Sequence, residues 1–186
     1  MKQRQTHLHP MEKAYQLDSP FRRLIQKPGH ILSKYIKQGM KVLDLGCGTG
    51  YFTGEIARRL HGSGKVVAVD VQQGMLDILV QKIKHLEYGQ CVAINRVDAK
   101  HLRLAEKDFD FVLAFYSFHE MQYLDNIIEE LGSICKPKAK ILMAEQKFHV
   151  SRAEFEAFEQ KLILNGFKTI ERPRIFLSRA VVMERN

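Results

Sequence analysis

The chain has no tryptophan, only three cysteines and five prolines, and no apolar run of membrane-spanning length. A transmembrane helix needs about 20 consecutive apolar residues, so we expect no membrane partner. The cysteines, Cys47, Cys91 and Cys135, are odd in number and form no C-x-x-C pair. This pattern argues against a disulfide scaffold and a zinc site, so we expect no metal and a reduced, cytoplasmic location. No apolar segment follows the charged N-terminal residues, so we expect no signal peptide.

The sequence does contain enough apolar surface for a folded domain, together with an excess of positive charge. Of its 186 residues, 45% are hydrophobic and 27% are charged, which is ordinary for a globular protein and argues against disorder. We expect a single domain over residues 1–186, with residues 1–40 as a helical cap and residues 41–186 as the core. Basic residues exceed acidic ones by eight, which suggests an anionic partner.

The positive charge lies at the two ends of the chain. Residues 1–41 carry nine basic and two acidic side chains, and residues 136–186 carry eleven and six. Residues 42–135 carry nine basic and thirteen acidic side chains, so this middle part is mildly acidic and suits a cationic ligand. The basic ends leave two kinds of partner open, an RNA and a small acid.

Short apolar runs rich in β-branched residues alternate with helical patterns from residue 41 onward. Such runs are typical of strands buried on both faces, and the alternation predicts a parallel sheet with helices on both sides. The last two runs are too close together for a helical crossover, so they should pair antiparallel. We therefore predict an α/β fold, a Rossmann-like doubly wound sheet of seven strands, mostly parallel, with one antiparallel strand in a C-terminal hairpin. The predicted strands are 41–45, 65–70, 91–97, 109–114, 140–144, 167–171 and 180–184, and the main helices are 51–60, 74–88, 124–135 and one after a capping box at Ser151.

The motif with the clearest chemistry is a strand, a glycine turn and a helix start at residues 42–53. The turn has the spacing G-x-G-x-G, which lets a ligand lie against backbone N–H groups at a helix N-terminus. The dinucleotide fingerprint would need glycine at position 51, where this chain has Tyr51. Asp44, just before the turn, would repel a pyrophosphate but attracts a cation such as an amino group or a sulfonium.

Three acidic residues stand at the ends of successive predicted strands, namely Asp44, Asp70 and Asp98. In open α/β sheets, ligands bind at the carboxyl ends of the strands where the strand order reverses. Asp70 lies 20 residues after Gly50, the spacing at which an acid accepts hydrogen bonds from both ribose hydroxyls. Each acid alone is explained equally well as a solvated loop carboxylate or as a binding residue. The three together indicate that a ligand binds at this edge of the sheet.

These motifs resemble those of the class I S-adenosylmethionine-dependent methyltransferases, especially small stand-alone members of the type 11 kind. The similarity runs from about residue 37 to the end of the chain and implies S-adenosylmethionine as cofactor. One departure is that residues 135–140 replace the Pro-Gly-Gly of the family, and we expect this to alter only a turn. The resemblance implies that the cofactor contacts Asp44, Gly46, Cys47, Gly48, Gly50, Asp70, Val71, Met75, Asp98, Ala99, Ala114 and Phe115.

Candidates for chemistry on the acceptor follow the fourth strand. His119 could act as a general base near neutral pH, although it could equally orient a loop or cap a helix. Tyr116 could bond the acceptor or contact the sulfonium through its ring, and core packing is the alternative. Glu145, at the end of the fifth strand, is a weaker candidate at the same edge.

The resemblance implies methyl transfer by in-line displacement, and relatives of this kind act mostly on small molecules. The family's N-terminal cap often covers the acceptor side, so Arg22 and Arg23 could select an anionic substrate, although solvated arginines explain them as well. The alternatives are an RNA or protein methyltransferase, and a non-catalytic module that binds S-adenosylmethionine. Nucleic acid is not favoured, because the segment after the fourth strand lacks the Pro-Pro motif of base methyltransferases.

Overall fold

Residues 26–186 are described by the computed structural model, and their strands form one seven-stranded sheet. The strands are β1 (Lys41–Leu45), β2 (Lys65–Asp70), β3 (Val92–Arg96), β4 (Phe109–Phe115), β5 (Cys135–Gln146), β6 (Phe167–Glu171) and β7 (Ser178–Arg185). Their order in the sheet is β3-β2-β1-β4-β5-β7-β6. The pairs from β3 to β5 are parallel, whereas β7 pairs antiparallel with both β5 and β6. The predicted sheet, with a single antiparallel strand in a C-terminal hairpin, is confirmed.

Helices cover both faces of the sheet because each central strand is apolar on both sides. Val42 and Val66 face one layer, and their neighbours Leu43 and Val67 face the other. The last helix begins at the predicted capping box, in which the Ser151 side chain accepts a hydrogen bond from a backbone N–H. The helices are α1 (Pro28–Leu32), α2 (Thr53–Leu60), α3 (Gln73–Ile83), α4 (Leu124–Ile134) and α5 (Arg152–Leu164).

The strand order reverses between β1 and β4, and this places the site. From β1 the chain moves outward through β2 to β3, then returns to the other side of β1 as β4. The carboxyl ends of β1 and β4 are therefore neighbours, and the loops that leave them diverge to opposite faces. Such a switch point is where open α/β sheets bind their ligands.

The start of β5 differs from the prediction. The strand begins at Cys135, so the segment that we expected to be a turn is part of the sheet. The pairing with β4 shifts register between Phe109 and Phe111, and Lys138 has a φ of 66°. Pro137 has no N–H for the ladder, and a bulge around it lets the strand start early.

The predicted N-terminal cap lies mostly outside the described residues, including Arg22 and Arg23. Within the described part, α1 buries Leu32, and the turn after it buries Tyr35 and Ile36 against the sheet. No helix in residues 26–186 combines the length and the apolar content needed to cross a bilayer.

Candidate active site

The glycine turn after β1 fits tightly between two neighbouring elements. Gly46 and Gly50 have φ values of +73° and +85°, a backbone conformation that favours glycine. A Cβ atom on Gly46 would lie 2.6 Å from the Ser117 Cβ, and one on Gly50 would lie 2.4 Å from the Leu79 Cδ1. The turn is therefore pressed against the segment after β4 on one side and against α3 on the other.

Hydrogen bonds fix the same turn to β2. The Gly46 and Cys47 N–H groups donate to the Val69 carbonyl at 2.9 and 3.0 Å. Gly48, whose φ is +54°, donates its N–H to Asp70 Oδ2 at 2.9 Å. The path of the turn is thus set by β2 as well as by β1.

Asp70 ends β2, where it was predicted to hold a ribose. Its Oδ1 accepts the Gln72 N–H at 2.9 Å, and its Oδ2 accepts the Gly48 N–H. Partial burial raises the pKa of Asp70 above the usual value. A carboxylate has about four acceptor positions, so the two backbone contacts leave capacity for hydroxyl donors. Asp70 is therefore both a structural support of the glycine turn and a candidate binding residue.

Asp44 lies inside β1 and is buried. Thr53, the first residue of α2, donates its hydroxyl to Asp44 Oδ2 at 2.6 Å. This contact holds the carboxylate beside the N-terminus of α2, where negative charge is favoured. The sequence identified Asp44 but gave no signal for Thr53.

The third predicted acid shapes its own loop. Asp98 Oδ1 accepts the Lys100 and His101 N–H groups, both at 2.7 Å, and these bonds lower the pKa of Asp98. Asp98 and Ala99 are exposed beyond β3. The structure places the pair at the predicted edge of the sheet, in a turn that the Asp98 side chain stabilises.

The remaining predicted cofactor residues differ in how accessible they are. Val71 is partly exposed, whereas Met75 and Ala114 are buried in the core, so their side chains contribute packing. The Phe115 ring packs against the Phe52 ring, with 4.4 Å between the two ring centroids. Cys47 is buried, and burial raises the pKa of its thiol well above the usual value, so the thiol is neutral at pH 7.

Tyr116 follows β4 in a strained backbone conformation. Its φ of 63° is uncommon for a bulky residue, and its N–H donates to the Ala144 carbonyl at 2.8 Å. The Tyr116 hydroxyl lies 2.6 Å from Ser178 Oγ and accepts a hydrogen bond from Gln26. These contacts engage the hydroxyl, and the Tyr116 ring packs against the Phe115 ring with 4.4 Å between centroids.

His119 is paired with a fully buried carboxylate. Glu145, at the end of β5, has no exposed surface, and its Oε2 lies 2.7 Å from His119 Nδ1. Its Oε1 accepts the backbone N–H groups of Phe118 and His119 at 2.9 and 3.3 Å. A carboxylate only accepts, so Nδ1 carries the proton and Nε2 is the basic nitrogen of the neutral ring. Nε2 lies 3.8 Å from Glu120 Oε1.

Ser117, which the sequence analysis did not single out, lies directly beside the glycine turn. Its side chain is buried against Gly46, and its Oγ has no hydrogen-bond partner within the described residues. Buried hydroxyls normally have a partner, and an unsatisfied one costs about 1–3 kcal/mol. A single serine between aromatic residues carries no sequence signal, because only the contact with the glycine turn distinguishes it.

Comparison with known families gives one match by a family model, described as a methyltransferase domain, over residues 42–138. That range is just over half of the chain. It begins in β1, includes the glycine turn, Asp70, Asp98 and His119, and ends at the bulge in β5.

Individual relatives and structures agree with this match. A demethylmenaquinone methyltransferase of Lactobacillus johnsonii is 31% identical over 110 residues, which are 59% of this chain and 45% of that protein. A ubiquinone/menaquinone biosynthesis C-methyltransferase, UbiE, of Haemophilus ducreyi is 28% identical over 59% of this chain and 42% of that protein. This chain thus spans less than half of these relatives. A SAM-dependent methyltransferase structure from Aquifex aeolicus has a TM-score of 0.87 at 23% identity, covering 96% of this chain and all of that one, and it shows the same fold.

Proposed function

Because the chain belongs to the methyltransferase domain family, we propose that it transfers a methyl group from S-adenosylmethionine to a small-molecule acceptor. The observation that carries the proposal is the contact between Gly46 and Ser117. It joins the turn that would bind the cofactor to the segment that holds His119. A donor site and a base therefore lie at one edge of the sheet, at the switch point between β1 and β4.

The residues at this edge fit the cofactor. The glycine turn brings backbone close to a ligand, Asp44 and Asp70 complement an ammonium and a pair of hydroxyls, and Ser117 Oγ is a buried hydroxyl without a partner among the described residues. When bound, S-adenosylmethionine supplies a methyl group that its sulfonium already activates. The protein therefore contributes mainly alignment of the acceptor with the methyl group.

His119 would remove the proton of an acceptor that arrives protonated. Its Nε2 is the basic nitrogen while Glu145 holds Nδ1–H, and the buried carboxylate stabilises the charged imidazolium that forms. The Tyr116 ring would line the acceptor side.

The division into an N-terminal cap and a core domain, and the cytoplasmic location, also remain predictions.

Replacing Asp70 with alanine should weaken binding of S-adenosylhomocysteine by about 1.5–3 kcal/mol, or roughly 10- to 150-fold in dissociation constant. The variant loses an acceptor for the ribose hydroxyls and leaves the Gly48 N–H without its partner. Calorimetric titration measures the change. Because burial raises the pKa of Asp70, wild-type affinity should fall on acidification at a higher pH than for an ordinary aspartate. Unchanged affinity in the variant would remove Asp70 from the site.

Replacing Ser117 with alanine should have opposite effects on stability and on binding. The substitution removes a buried hydroxyl that has no partner among residues 26–186, so the melting temperature should stay the same or rise. If the hydroxyl bonds the cofactor, affinity for S-adenosylhomocysteine should fall by about fivefold to tenfold, equivalent to one hydrogen bond of about 1 kcal/mol. A variant of lower stability and unchanged affinity would show that Ser117 has only a packing role.

The proposed function is tested by binding and turnover. Calorimetry should show binding of S-adenosylmethionine and S-adenosylhomocysteine, and tight binding of NAD instead would overturn the assignment. Cofactor with a labelled methyl group should then label a member of a panel of small acidic acceptors. The names of the relatives make demethylated quinols the first acceptors to include. Label on RNA alone would favour the RNA alternative, and binding without any transfer would favour a non-catalytic module.

A further inference from the structure

Two short loops border the proposed acceptor side of the site. We call residues 147–150 and 172–177 the rim loops. They leave β5 and enter β7 where Gln146 pairs with Ser178, and the Lys147 N–H donates to the Leu177 carbonyl at 3.0 Å. The rim loops therefore lie side by side at the carboxyl end of β5, the edge that also carries the glycine turn.

His119 and Tyr116, two of the candidates for acceptor chemistry, contact the rim loops or their border. The ring of His149, in the first rim loop, stacks on the His119 ring with 6.3 Å between centroids and 25° between planes. The Tyr116 hydroxyl lies 2.6 Å from the Oγ of Ser178, the residue that follows the second rim loop. A molecule with its reacting end near His119 could thus extend directly onto the rim loops.

The rim loops expose large apolar side chains to solvent. Phe148 is 79% exposed, Phe176 57% and Leu177 37%. These are three of the six large hydrophobic residues exposed in the described part of the chain, and the other three lie on α5 and β6. Apolar side chains exposed together beside a site are a feature of binding surfaces, because covering them removes apolar area from water.

The charged residues of the rim loops are all basic. They contain Lys147, Arg172 and Arg174 and no acidic side chain. All three residues are exposed, and Arg172 is ion-paired with Glu159 at 2.7 and 2.9 Å. The loops thus combine an apolar surface with three exposed cations, of which Lys147 and Arg174 are additional to the pair of Arg172 with Glu159, and this combination complements a molecule with an apolar arm and an anionic group.

We propose that the rim loops bind the apolar arm of an acidic, amphipathic acceptor, with Phe148, Phe176 and Leu177 contacting the arm and Lys147 and Arg174 attracting its anionic group. The role as acceptor rests on the proposed function. Three apolar side chains provide surface for one hydrocarbon arm. Three exposed cations, one of which is already paired with Glu159, are few for an RNA, whose affinity grows with the number of phosphate contacts. The position of the loops beside His119 also fits a single small molecule that reaches the site.

The absence of tryptophan provides a direct test, because Phe148→Trp introduces a single fluorescent reporter in the rim loops. The variant is titrated, without cofactor, with monomeric dodecanoate and with dodecyltrimethylammonium, which share an alkyl chain and differ in charge. We expect a saturable blue shift with dodecanoate and at least about fivefold weaker binding of the cation. Reversing both charges, Lys147→Glu with Arg174→Glu, should abolish that preference. The matched control is Leu164→Trp, which labels an 83% exposed position on α5 and should show no shift.

Several outcomes would overturn the proposal. They are equal responses of the two reporters, equal binding of the anion and the cation, and a response only to phosphatidylglycerol vesicles or only to polyuridylate. These measurements involve no methyl transfer, so they separate the two proposals. A chain that binds S-adenosylhomocysteine but not dodecanoate would keep the proposed function and lose this one. A chain that binds dodecanoate but no cofactor would keep the proposed role of the rim loops in binding an amphipathic anion and would lose the proposed function.

Discussion

Replacing Gly46 with alanine should disrupt the cofactor site. The φ of Gly46 is +73°, and a non-glycine residue in that conformation costs about 1–2 kcal/mol. The added Cβ would lie 2.6 Å from the Ser117 Cβ, and relieving such an overlap costs about 1–3 kcal/mol more. We expect the free energy of unfolding to fall by about 2–5 kcal/mol and, because the turn must move away from Ser117, kcat/KM to fall by about 100-fold or more. Denaturant unfolding and steady-state kinetics measure the two effects.

Gly166 offers a matched control for this substitution. Its φ is +87°, but a Cβ there would meet no atom within 4 Å. Gly166→Ala should therefore show only the backbone cost of about 1–2 kcal/mol and leave cofactor binding unchanged. Equal stability losses in the two variants would show that the overlap with Ser117 is relieved at no cost. Wild-type cofactor affinity in Gly46→Ala would show that the path of the turn does not determine binding.

The strands of the sheet could be predicted from the sequence because each one is marked by residues within its own short segment. The runs that form β1, β2 and β6 have the predicted limits, since β-branched residues bounded by polar or turn residues define a buried strand. The bulge at the start of β5 could not be predicted. It depends on how residues around Pro137 align with β4, and that register is not contained in either segment alone.

Residues of the candidate site could be predicted only where the residue type and its spacing already indicate a chemical role. Asp70 follows a glycine turn at a known spacing, but its hydrogen bond to Gly48 depends on how the turn folds back over β2. His119 was one of eight histidines, and His101 is also paired with a glutamate, Glu130, at 2.9 Å. The difference is burial, because Glu145 is fully buried beside the switch point whereas Glu130 is partly exposed. Burial of that kind becomes visible only once the strands are assembled.

Replacing Glu145 with glutamine should lower kcat by about 10²- to 10⁴-fold, the contribution expected of a positioned general base. The amide oxygen can still accept the Phe118 and His119 N–H groups, so the segment after β4 should keep its fold. The amide NH₂ would then face His119 Nδ1 and force that nitrogen to accept. The proton would move to Nε2, and the ring would lose its basic nitrogen on the acceptor side. Affinity for S-adenosylhomocysteine should remain unchanged.

The experiment separates a positioning role of Glu145 from a purely structural one. If His119 and Glu145 act as a unit, the double variant His119→Ala with Glu145→Gln should be no slower than His119→Ala alone. The pH dependence of kcat that belongs to His119 should also disappear in Glu145→Gln. Glu130→Gln changes the corresponding pair around His101 and should leave that pH dependence intact, because the Glu130 carboxylate bonds residues 101–103 and not His119. If the rate loss of the double variant equals the product of the losses in the two single variants, the positioning role is contradicted. An unchanged kcat in Glu145→Gln would mean that the acceptor reaches the site already deprotonated, so that alignment alone supplies the acceleration.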